Sequence, residues 1–192
     1  MHWTCCDTDS FSADQLQSGF EKMSPSRKEY VRSLRRPRDK ARSIAAELLV
    51  RQLLEESYGI TDAQLHRKEN GQPYFTGCDF YVSITHCEGK IACAISREPV
   101  GIDIEQIRPV NLKLCRHVCV PEEKTYVLGD AREYENRACQ NEEVLRRFFE
   151  IWTAKEAYFK KCGTGITDLK SVNILPLPRE IYTVEDYLVQ IL

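Results

Sequence analysis

The sequence has no long hydrophobic run, and its longest uninterrupted apolar stretch extends only from Ile91 to Ile95. Because a helix needs about 20 apolar residues to cross a bilayer, no membrane-spanning segment is expected. The N-terminal residues also lack the basic segment followed by an apolar one that marks a secretory signal. We therefore expect a cytoplasmic protein that contacts no membrane.

Paired cysteine motifs are missing as well. Among the nine cysteines there is no C-x-x-C pair, and the spacing of Cys115, His117 and Cys119 matches no standard zinc motif. In a chain without an export signal, such cysteines are expected to be reduced and mostly buried. Neither disulfides nor zinc are therefore expected to hold this fold together.

The chain has little net charge, because 27 lysines and arginines face 29 aspartates and glutamates, for a net charge of −2. With 192 residues, of which 42% are hydrophobic, it has the length and composition of one large globular domain or two fused small lobes. The charges are unevenly placed, since residues 27–42 hold eight basic side chains and two acidic ones. This segment is either a candidate anion-binding surface or a solvated helical face.

Hydrophobic spacing predicts a helix over residues 44–54, with Arg42 at its start and Gly59 as its stop. A turn is expected at residues 70–73. Short strands should follow, and the tight links between them favour an antiparallel meander. The three expected strands cover residues 80–85, 90–96 and 100–105.

The second half of the chain is expected to be mainly helical. A helical region should begin at Pro121 and be interrupted near Gly129 and Asp130. A longer helix should begin at Asn141, a favourable N-cap, and end at Gly163. Short strands are expected in the tail, over residues 171–175, 181–184 and 187–192.

Residues 100–105, V-G-I-D-I-E, alternate apolar and acidic positions, so Asp103 and Glu105 share one face of a strand. Two like charges on one face repel unless a cation lies between them, and Mg²⁺ prefers carboxylate oxygens. The same pattern is typical of a strand whose outer face is solvated. Asp103 and Glu105 are therefore candidate magnesium ligands, and the pattern alone does not decide between these two interpretations.

A second acidic site lies in W-T-A-K-E-A-Y-F-K, residues 152–160. On a helix, Trp152, Glu156 and Lys160 lie one above the other at i, i+4 and i+8. One interpretation is a surface ion pair between Glu156 and Lys160, worth about 0.3 kcal/mol. The other is that Glu156 completes a metal site with Asp103 while Lys160 contacts a phosphate.

Phosphate binding needs several donors, and positively charged side chains are suited to supply them. His86 stands out among the histidines because it lies where the predicted strand 80–85 ends, in the same meander as the acidic pair. The other candidate donors are Arg27, Arg42 and Lys160. An anion-binding site beside the carboxylates is therefore expected.

These segments resemble a known family. Residues 100–105 and 152–160, about fifty residues apart, are similar to the paired signature motifs of the 4′-phosphopantetheinyl transferases. Their order and spacing resemble the longer, monomeric Sfp-type group rather than the short trimeric holo-acyl-carrier-protein synthase group. N-G-Q-P at 70–73 is similar to the family's Gly-Lys-Pro turn, and S-I-T-H at 83–86 to its Ser-x-Ser-His segment. The resemblance covers residues 24–170.

The resemblance implies an α+β fold with two similar lobes related by a pseudo-two-fold axis, each a small antiparallel sheet with a long helix. The lobes would be residues 1–98 and 99–192, with the active site between them. The implied reaction is magnesium-dependent and transfers the 4′-phosphopantetheine arm of coenzyme A to a serine of an apo acyl or peptidyl carrier protein, releasing adenosine 3′,5′-bisphosphate. The partners would be coenzyme A and the carrier protein, with no nucleic acid and no membrane, and the protein would be a monomer.

The resemblance also implies roles for individual residues. Mg²⁺ would be held by Asp103, Glu105 and Glu156, and the catalytic residues would be Asp103, Glu156 and Lys160. Contacts with coenzyme A would come from Arg27, Arg42, Gly71, Gln72, Pro73, Thr85, His86 and Lys160. Within this set, His86 and the two arginines resemble contacts to the 3′-phosphate, the turn at 71–73 lies beside the adenine, and Thr85 and Lys160 face the pyrophosphate.

Two positions depart from the family pattern, because Gln72 replaces the usual lysine and Tyr30 stands where a basic residue is expected. The chain also ends soon after Tyr187, where members of the family commonly continue, so we expect a second sheet that is trimmed or closed by the last strand. Two other functions remain open: a magnesium-dependent phosphohydrolase of coenzyme A or nucleotides, and a nucleic-acid-binding domain using residues 27–42. Against the latter, only Tyr30 interleaves with the basic residues, whereas single-strand recognition normally uses aromatic stacking.

Overall fold

Two three-stranded antiparallel sheets, each packed against one long helix, form the centre of the fold. The computed structural model describes residues 1–129 and 138–192. The helices are α1 (Ala13–Lys22), α2 (Pro25–Ser33), α3 (Pro37–Tyr58), α4 (Cys115–Val118), α5 (Pro121–Leu128) and α6 (Glu142–Cys162). The strands are β1 (His2–Asp7), β2 (Gln64–Arg67), β3 (Pro73–Thr76), β4 (Tyr81–His86), β5 (Lys90–Ser96), β6 (Ile102–Gln106), β7 (Val110–Asn111), β8 (Ala138–Cys139), β9 (Glu180–Val184) and β10 (Tyr187–Ile191). The predicted α+β class is confirmed.

The first sheet has the order β1-β5-β4, and α3 packs against it. The helix begins at Pro37 rather than near Arg42, because proline fits the first helical position, where its missing N–H leaves no hydrogen bond unmade. Arg42 therefore lies inside α3, and the predicted start is wrong. The predicted stop is confirmed, since Gly59 caps the helix in the left-handed conformation with φ 68°.

The second sheet has the order β6-β10-β9 and packs against α6. Asn141 caps this helix as predicted, because its side chain accepts hydrogen bonds from the backbone N–H groups of Glu143 and Val144 at 3.1 and 3.2 Å. Gly163 ends it with φ 67°, also as predicted. The last strand, β10, lies at the centre of this sheet.

The predicted meander is wrong in its third strand. β4 and β5 pair as expected, but β6 leaves that sheet and pairs with β10. Pro99 has no N–H to continue the first ladder, which favours the exit of the chain at that point. The free edge of β5 pairs instead with β1. The sequence did not predict this strand, because its residues are exposed or half-buried and show no apolar alternation.

The tail holds two of the three predicted strands, β9 and β10, and the strand predicted over residues 171–175 is wrong. In that segment, backbone groups form hydrogen bonds with side chains instead of with a neighbouring strand. The Nζ of Lys155 donates to the carbonyl of Val172 at 2.8 Å, and Glu123 accepts from the N–H of Ile174 at 2.8 Å. Lys155 and Glu123 are themselves fully buried and 2.7 Å apart, so each charge is compensated by the other.

The helical region predicted from Pro121 is confirmed as α5, which ends at Leu128. Asp130, near which we predicted an interruption, lies outside the described residues. None of the helices formed by the described residues is long and apolar enough to cross a bilayer.

The two sheets meet through a shared apolar cluster and several polar contacts, among them a hydrogen bond between β6 and β4. The backbone N–H of Ile102, at the start of β6, donates to the side chain of Ser83 on β4 at 3.1 Å. The cluster includes residues of both sheets: Ala92, Ala94, Val100, Ile102, Ile104, Tyr187, Val189 and Ile191. This packing places the end of β4 beside the acidic residues of β6.

Candidate active site

Asp103 is the buried centre of the candidate active site. It lies on β6 with 2% of its surface exposed. Its Oδ1 accepts a hydrogen bond from Thr85 Oγ1 at 2.7 Å and lies 2.6 Å from Lys160 Nζ. Its Oδ2 is buried and has no hydrogen-bond partner among the described residues. Because a buried carboxylate oxygen without a partner is costly, this atom is suited to receive a cation.

Glu156 and Lys160 reach this carboxylate because α6 passes very close to the residue before β6. A Cβ atom on Gly101 would lie 1.8 Å from the backbone oxygen of Ala157, so the contact requires glycine. Lys160 Nζ lies 3.0 Å from Thr85 Oγ1 and 3.9 Å from Glu156 Oε2. The structure thus brings together the two acidic sites that the sequence singled out.

Two of the alternative interpretations are wrong for these residues. Lys160 does not mainly pair with Glu156 on a surface, because its nearest carboxylate is that of Asp103, at 2.6 Å against 3.9 Å. Nor is Asp103 on a solvated outer face, since residues 102–104 are buried on both faces of β6. Glu105 is half-buried and pairs with Arg108 at 3.1 Å.

Burial and the nearby charge of Asp103 raise the pKa of two carboxyl groups of the site, Glu156 and Glu105. Burial first, and next the charge of Asp103, raise the pKa of Glu156 to about 7. The same two causes in the same order raise the pKa of Glu105. Without a cation beside them, Glu156 and Glu105 therefore hold protons more tightly than exposed glutamates would.

The residues fit a hard divalent cation. Among the described residues, no three His, Cys, Asp or Glu side chains already surround one ion position. Mg²⁺ does not need such a cage, because it commonly uses one or two protein carboxylates and takes its other oxygens from water and phosphate. The unpartnered Oδ2 of Asp103 and the raised pKa of Glu156 are what such a partial site would show. The assignment of Asp103, Glu105 and Glu156 as ligands stays a prediction.

A cavity of about 370 Å³ opens beside this cluster, between α2, α3, the 70–73 turn and β4. Five of the predicted coenzyme A contacts line it together: Arg27, Arg42, Gly71, Pro73 and His86. Partial burial, and next the charge of Arg42, lower the pKa of His86. The sequence-distant candidates for anion binding therefore share one space.

The two predicted arginines of this cavity are already engaged with carboxylates. Arg27 is buried, and its Nε lies 3.0 Å from Glu47. Arg42 Nη2 lies 3.0 Å from Asp39, a cavity residue that sequence reasoning missed. Within residues 27–42 these two arginines therefore face inward, so a fully solvated basic face is wrong for them; their contact with coenzyme A stays a prediction.

A second, smaller cavity of about 180 Å³ lies between the 70–73 turn and the end of α6, and it is lined by both Gln72 and Lys160. The Nδ2 of Asn70 donates to the carbonyl of Gly163 at 2.6 Å, which fixes the turn to the helix. The Oε1 of Gln72 accepts a hydrogen bond from Lys68 Nζ at 2.9 Å. The ammonium group of Lys68 therefore lies beside Gln72, the residue that replaces the family's usual lysine.

Three further residues that shape the site received no role from the sequence. Ser83 joins the two sheets, Gly101 admits α6, and Arg67 lines the larger cavity. The isolated glycine in the strand pattern 100–105 was an available signal, because such a glycine often marks a close backbone approach. Ser83 also lies in the S-I-T-H segment that the sequence singled out. Arg67 gave no signal, since β2 is too short to show alternation.

Comparison with known proteins indicates the family to which the chain is similar. Residues 99–190 match the sequence model of the 4′-phosphopantetheinyl transferase superfamily. The 4′-phosphopantetheinyl transferase gsp of Aneurinibacillus migulanus is 34% identical over 131 residues, which cover 67% of this chain and 51% of that protein.

Two further relatives are more distant in sequence. The 4′-phosphopantetheinyl transferase Sfp of Bacillus subtilis is 26% identical over 148 residues, which cover 76% of this chain and 62% of that protein. The 4′-phosphopantetheinyl transferase psf-1 of Bacillus pumilus is 27% identical over 132 residues, 67% of this chain and 53% of that protein. The chain thus spans about half to three fifths of the length of the relatives that it matches.

Proposed function

Because residues 99–190 of the chain belong to the 4′-phosphopantetheinyl transferase superfamily, we propose that the protein transfers the 4′-phosphopantetheine arm of coenzyme A to a serine of an acyl or peptidyl carrier protein. The observation that carries the proposal is the junction of Asp103, Lys160 and Thr85 within 3.0 Å of one another. His86, the residue after Thr85, lines the larger cavity, and the carboxylate of Glu156 lies 3.9 Å from Lys160 Nζ.

Coenzyme A would bind across the two cavities. Its adenosine 3′-phosphate half suits the larger cavity, where Arg42 and His86 face an apolar floor that includes Ile84. Lys160 lines the smaller cavity and also reaches Asp103, so its ammonium group is placed to bind the diphosphate. Gly71, Gln72 and Pro73 would lie beside the adenine, and the hydroxyl of Thr85 would donate to a diphosphate oxygen.

Asp103 and Glu156 would hold a magnesium ion, with Glu105 as a third ligand or through water. When bound there, Mg²⁺ would neutralise the negative charge of the diphosphate, as it does at other phosphoryl-transfer sites. Within the chain, Lys160 would stabilise the negative charge that develops on the oxygens around the attacked phosphorus.

The carrier serine must lose a proton as its oxygen attacks the phosphorus that carries the pantetheine arm. A new P–O bond to serine forms, the P–O–P link breaks, and adenosine 3′,5′-bisphosphate leaves. Glu156, directly or through a metal-bound water, is our candidate for the base, because a serine hydroxyl needs a proton acceptor within hydrogen-bond reach.

Two lobes, residues 1–98 and 99–192, would enclose this site. The first holds β1, β4 and β5 with α3, and the second holds β6, β9 and β10 with α6. We further propose that the protein acts as a monomer in the cytoplasm, where coenzyme A and carrier proteins are available, without a nucleic-acid or membrane partner.

The test is the mass of an apo carrier protein incubated with the chain, coenzyme A and Mg²⁺. Covalent transfer should add about 340 Da at the serine. Glu156→Gln should lower the rate by at least about 100-fold, because a general base typically contributes that much. Asp103→Asn should remove the Mg²⁺ dependence along with the activity, because it takes a charged ligand from the proposed metal site. Glu143→Gln serves as the matched control, since Glu143 is an exposed glutamate on the same helix.

Release of adenosine 3′,5′-bisphosphate with no gain of mass on several carriers would support the phosphohydrolase alternative and reject the transferase. Near-normal transfer by Glu156→Gln would reject the assigned base. Salt-sensitive retention on a nucleic-acid column, without a mass shift on any carrier, would favour the nucleic-acid alternative.

A further inference from the structure

A groove of about 460 Å³ lies between α1, the end of α2 and the start of α3. Three of its apolar side chains, those of Leu16, Phe20 and Ile44, are only half-buried. The other apolar residues that line it are Ala13, Val31 and Ala41. Apolar surface is therefore open to solvent between helices, and a groove of this kind can receive the apolar face of another helix.

The length of the groove matches two turns of a helix. On α1, the lining residues Ala13, Leu16 and Phe20 are spaced at i, i+3 and i+7, so they share one face. Seven residues at about 1.5 Å each extend for about 10 Å. A matching partner helix would present apolar residues at i, i+3 or i+4, and i+7.

The charged side chains that line the groove are Arg32 and Lys40, and both are cations. The guanidinium of Arg32 lies 5.4 Å from the centre of the Phe20 ring. Within the described part of the chain, neither cation has an ion pair or a side-chain hydrogen bond. Both belong to the basic segment 27–42, in which Asp39, one of only two acids, already pairs with Arg42. The groove is therefore electrostatically complementary to an acidic partner.

The groove and the larger cavity lie on different sides of α3. Asp39 and Arg42 line the cavity, whereas Lys40 and Ile44 line the groove. At 3.6 residues per turn, these two pairs face opposite sides of the helix. A partner in the groove would therefore leave the cavity open.

We propose that this groove docks an acidic amphipathic helix of a partner protein. Apolar side chains of that helix would cover Leu16, Phe20 and Ile44, and flanking aspartates or glutamates would pair with Arg32 and Lys40. A helix suits the groove better than a single alkyl chain does, because small-molecule sites enclose most of their ligand and these lining residues stay half-exposed. The inference goes beyond the proposed function and does not depend on it.

The test uses a peptide of about 14 residues that a side-chain cross-link holds helical, because isolated helices of this length are marginal in water. The acidic probe has leucines at i, i+3, i+4 and i+7 and glutamates elsewhere. In fluorescence anisotropy titrations of the full chain, it should bind with a dissociation constant of about 100 μM or tighter. A probe with lysines in place of the glutamates should bind at least about 10-fold more weakly, because Arg32 and Lys40 would repel it.

Arg32→Glu and Lys40→Glu should each weaken binding of the acidic probe by about 10-fold, because an attractive charge pair becomes a repulsive one. Arg35→Glu is the matched control, since Arg35 is an exposed arginine of the same basic segment that does not line the groove. At about 0.15 M salt it should change the affinity by less than about 2-fold, because distant exposed charges are screened. Arg32 is exposed, so circular dichroism should show Arg32→Glu to be folded.

Five results would overturn the inference. If neither probe binds, the groove docks no helix, and if both bind equally, it recognises only apolar surface. If Arg35→Glu weakens binding as much as Arg32→Glu, the attraction is a general effect of the basic segment. If sodium dodecanoate binds in the groove and the acidic probe does not, the ligand is a lipid. If coenzyme A displaces the probe, the groove is not separate from the cavity. The mass-shift assay on a carrier protein tests the proposed function independently of all five.

Discussion

At the scale of single residues, the proposed chemistry depends most on the protonation state of Glu156. It is about one fifth exposed and lies 3.9 Å from Lys160 Nζ, yet its pKa is raised rather than lowered. Burial and the charge of Asp103 outweigh the ammonium group, because the ammonium is closer to Asp103, at 2.6 Å. A group with this balance gives up its proton easily once a cation arrives.

Glu156 therefore makes stability depend on pH when no divalent metal is present. Its pKa of about 7 in the folded chain lies above the ordinary value of about 4.3 for an unfolded chain. The stability that the neutral form contributes is complete below the unfolded value and is lost as the pH rises through about 7. In EDTA, the free energy of unfolding from urea titrations should thus fall between about pH 4 and pH 7 and level off above about pH 8, and Mg²⁺ should restore more stability at the upper end.

Glu156→Gln is the control for this pH dependence. The variant should show a flatter profile over the same range, because its amide does not titrate, and His86 changes both proteins alike. Parallel profiles for the native chain and the variant would contradict the raised pKa.

At the scale of elements, the site depends on how closely α6 approaches the start of β6. Asp103 belongs to the strand, and Glu156 and Lys160 belong to the helix, so their distances are set by the contact at Gly101. The ideal Cβ position at Gly101 is also 2.7 Å from the backbone nitrogen of Lys161. Backbone atoms, unlike a flexible side chain, cannot move aside alone, so the whole helix would have to shift.

Gly101→Ala should therefore both destabilise and inactivate the protein. Overpacking of this kind costs about 3 kcal/mol of unfolding free energy, and transferase activity should fall with it because Asp103 and Glu156 separate. Urea unfolding and the mass-shift assay measure the two effects.

Gly59→Ala is the comparison for Gly101→Ala. Gly59 has φ 68° but no atom within 4 Å of its Cβ position, so it should lose only about 1 kcal/mol and keep activity. A Gly101→Ala variant as stable as Gly59→Ala would refute the close contact.

At the scale of the whole molecule, Lys90 ties the two sheets together. This residue of β5 is nearly buried, with Nζ 2.7 Å from Asp7 on β1 and 3.2 Å from Glu185 in the turn between β9 and β10. Nearby, the hydroxyl of Tyr187 donates to the backbone oxygen of Glu88 at 2.9 Å. These contacts hold the second sheet against the first, and that arrangement sets Asp103 beside Thr85.

Lys90→Met should loosen this junction while keeping most of the apolar stem. We expect a loss of about 1 to 3 kcal/mol in the free energy of unfolding, because hydrogen bonds to a charged group are lost but both carboxylates remain largely hydrated. Urea titration gives the value. Lys22→Met, at an exposed lysine, should stay within about 0.5 kcal/mol of the native chain, and an equal effect of both changes would argue against the junction.

Much of the fold and of the candidate site is determined by the sequence alone. The cap at Asn141, the stops at Gly59 and Gly163 and the strands around residues 81–96 follow from local patterns, since each depends on neighbours only a few positions away. The sequence also predicted the acidic pair Asp103 and Glu105 and the helix face that bears Glu156, because their residue types and spacing are chemically unusual.

Only the tertiary structure decided which of these residues meet. Strand pairing depends on burial between distant segments, so the move of β6 to the second sheet and the arrival of β1 at the edge of the first had no local signal. Likewise, the sequence shows three equivalent arginines, but the chain folds so that Arg27 and Arg42 face carboxylates and Arg67 does not. Charge is a property of a residue, whereas the availability of that charge is a property of the packed neighbourhood.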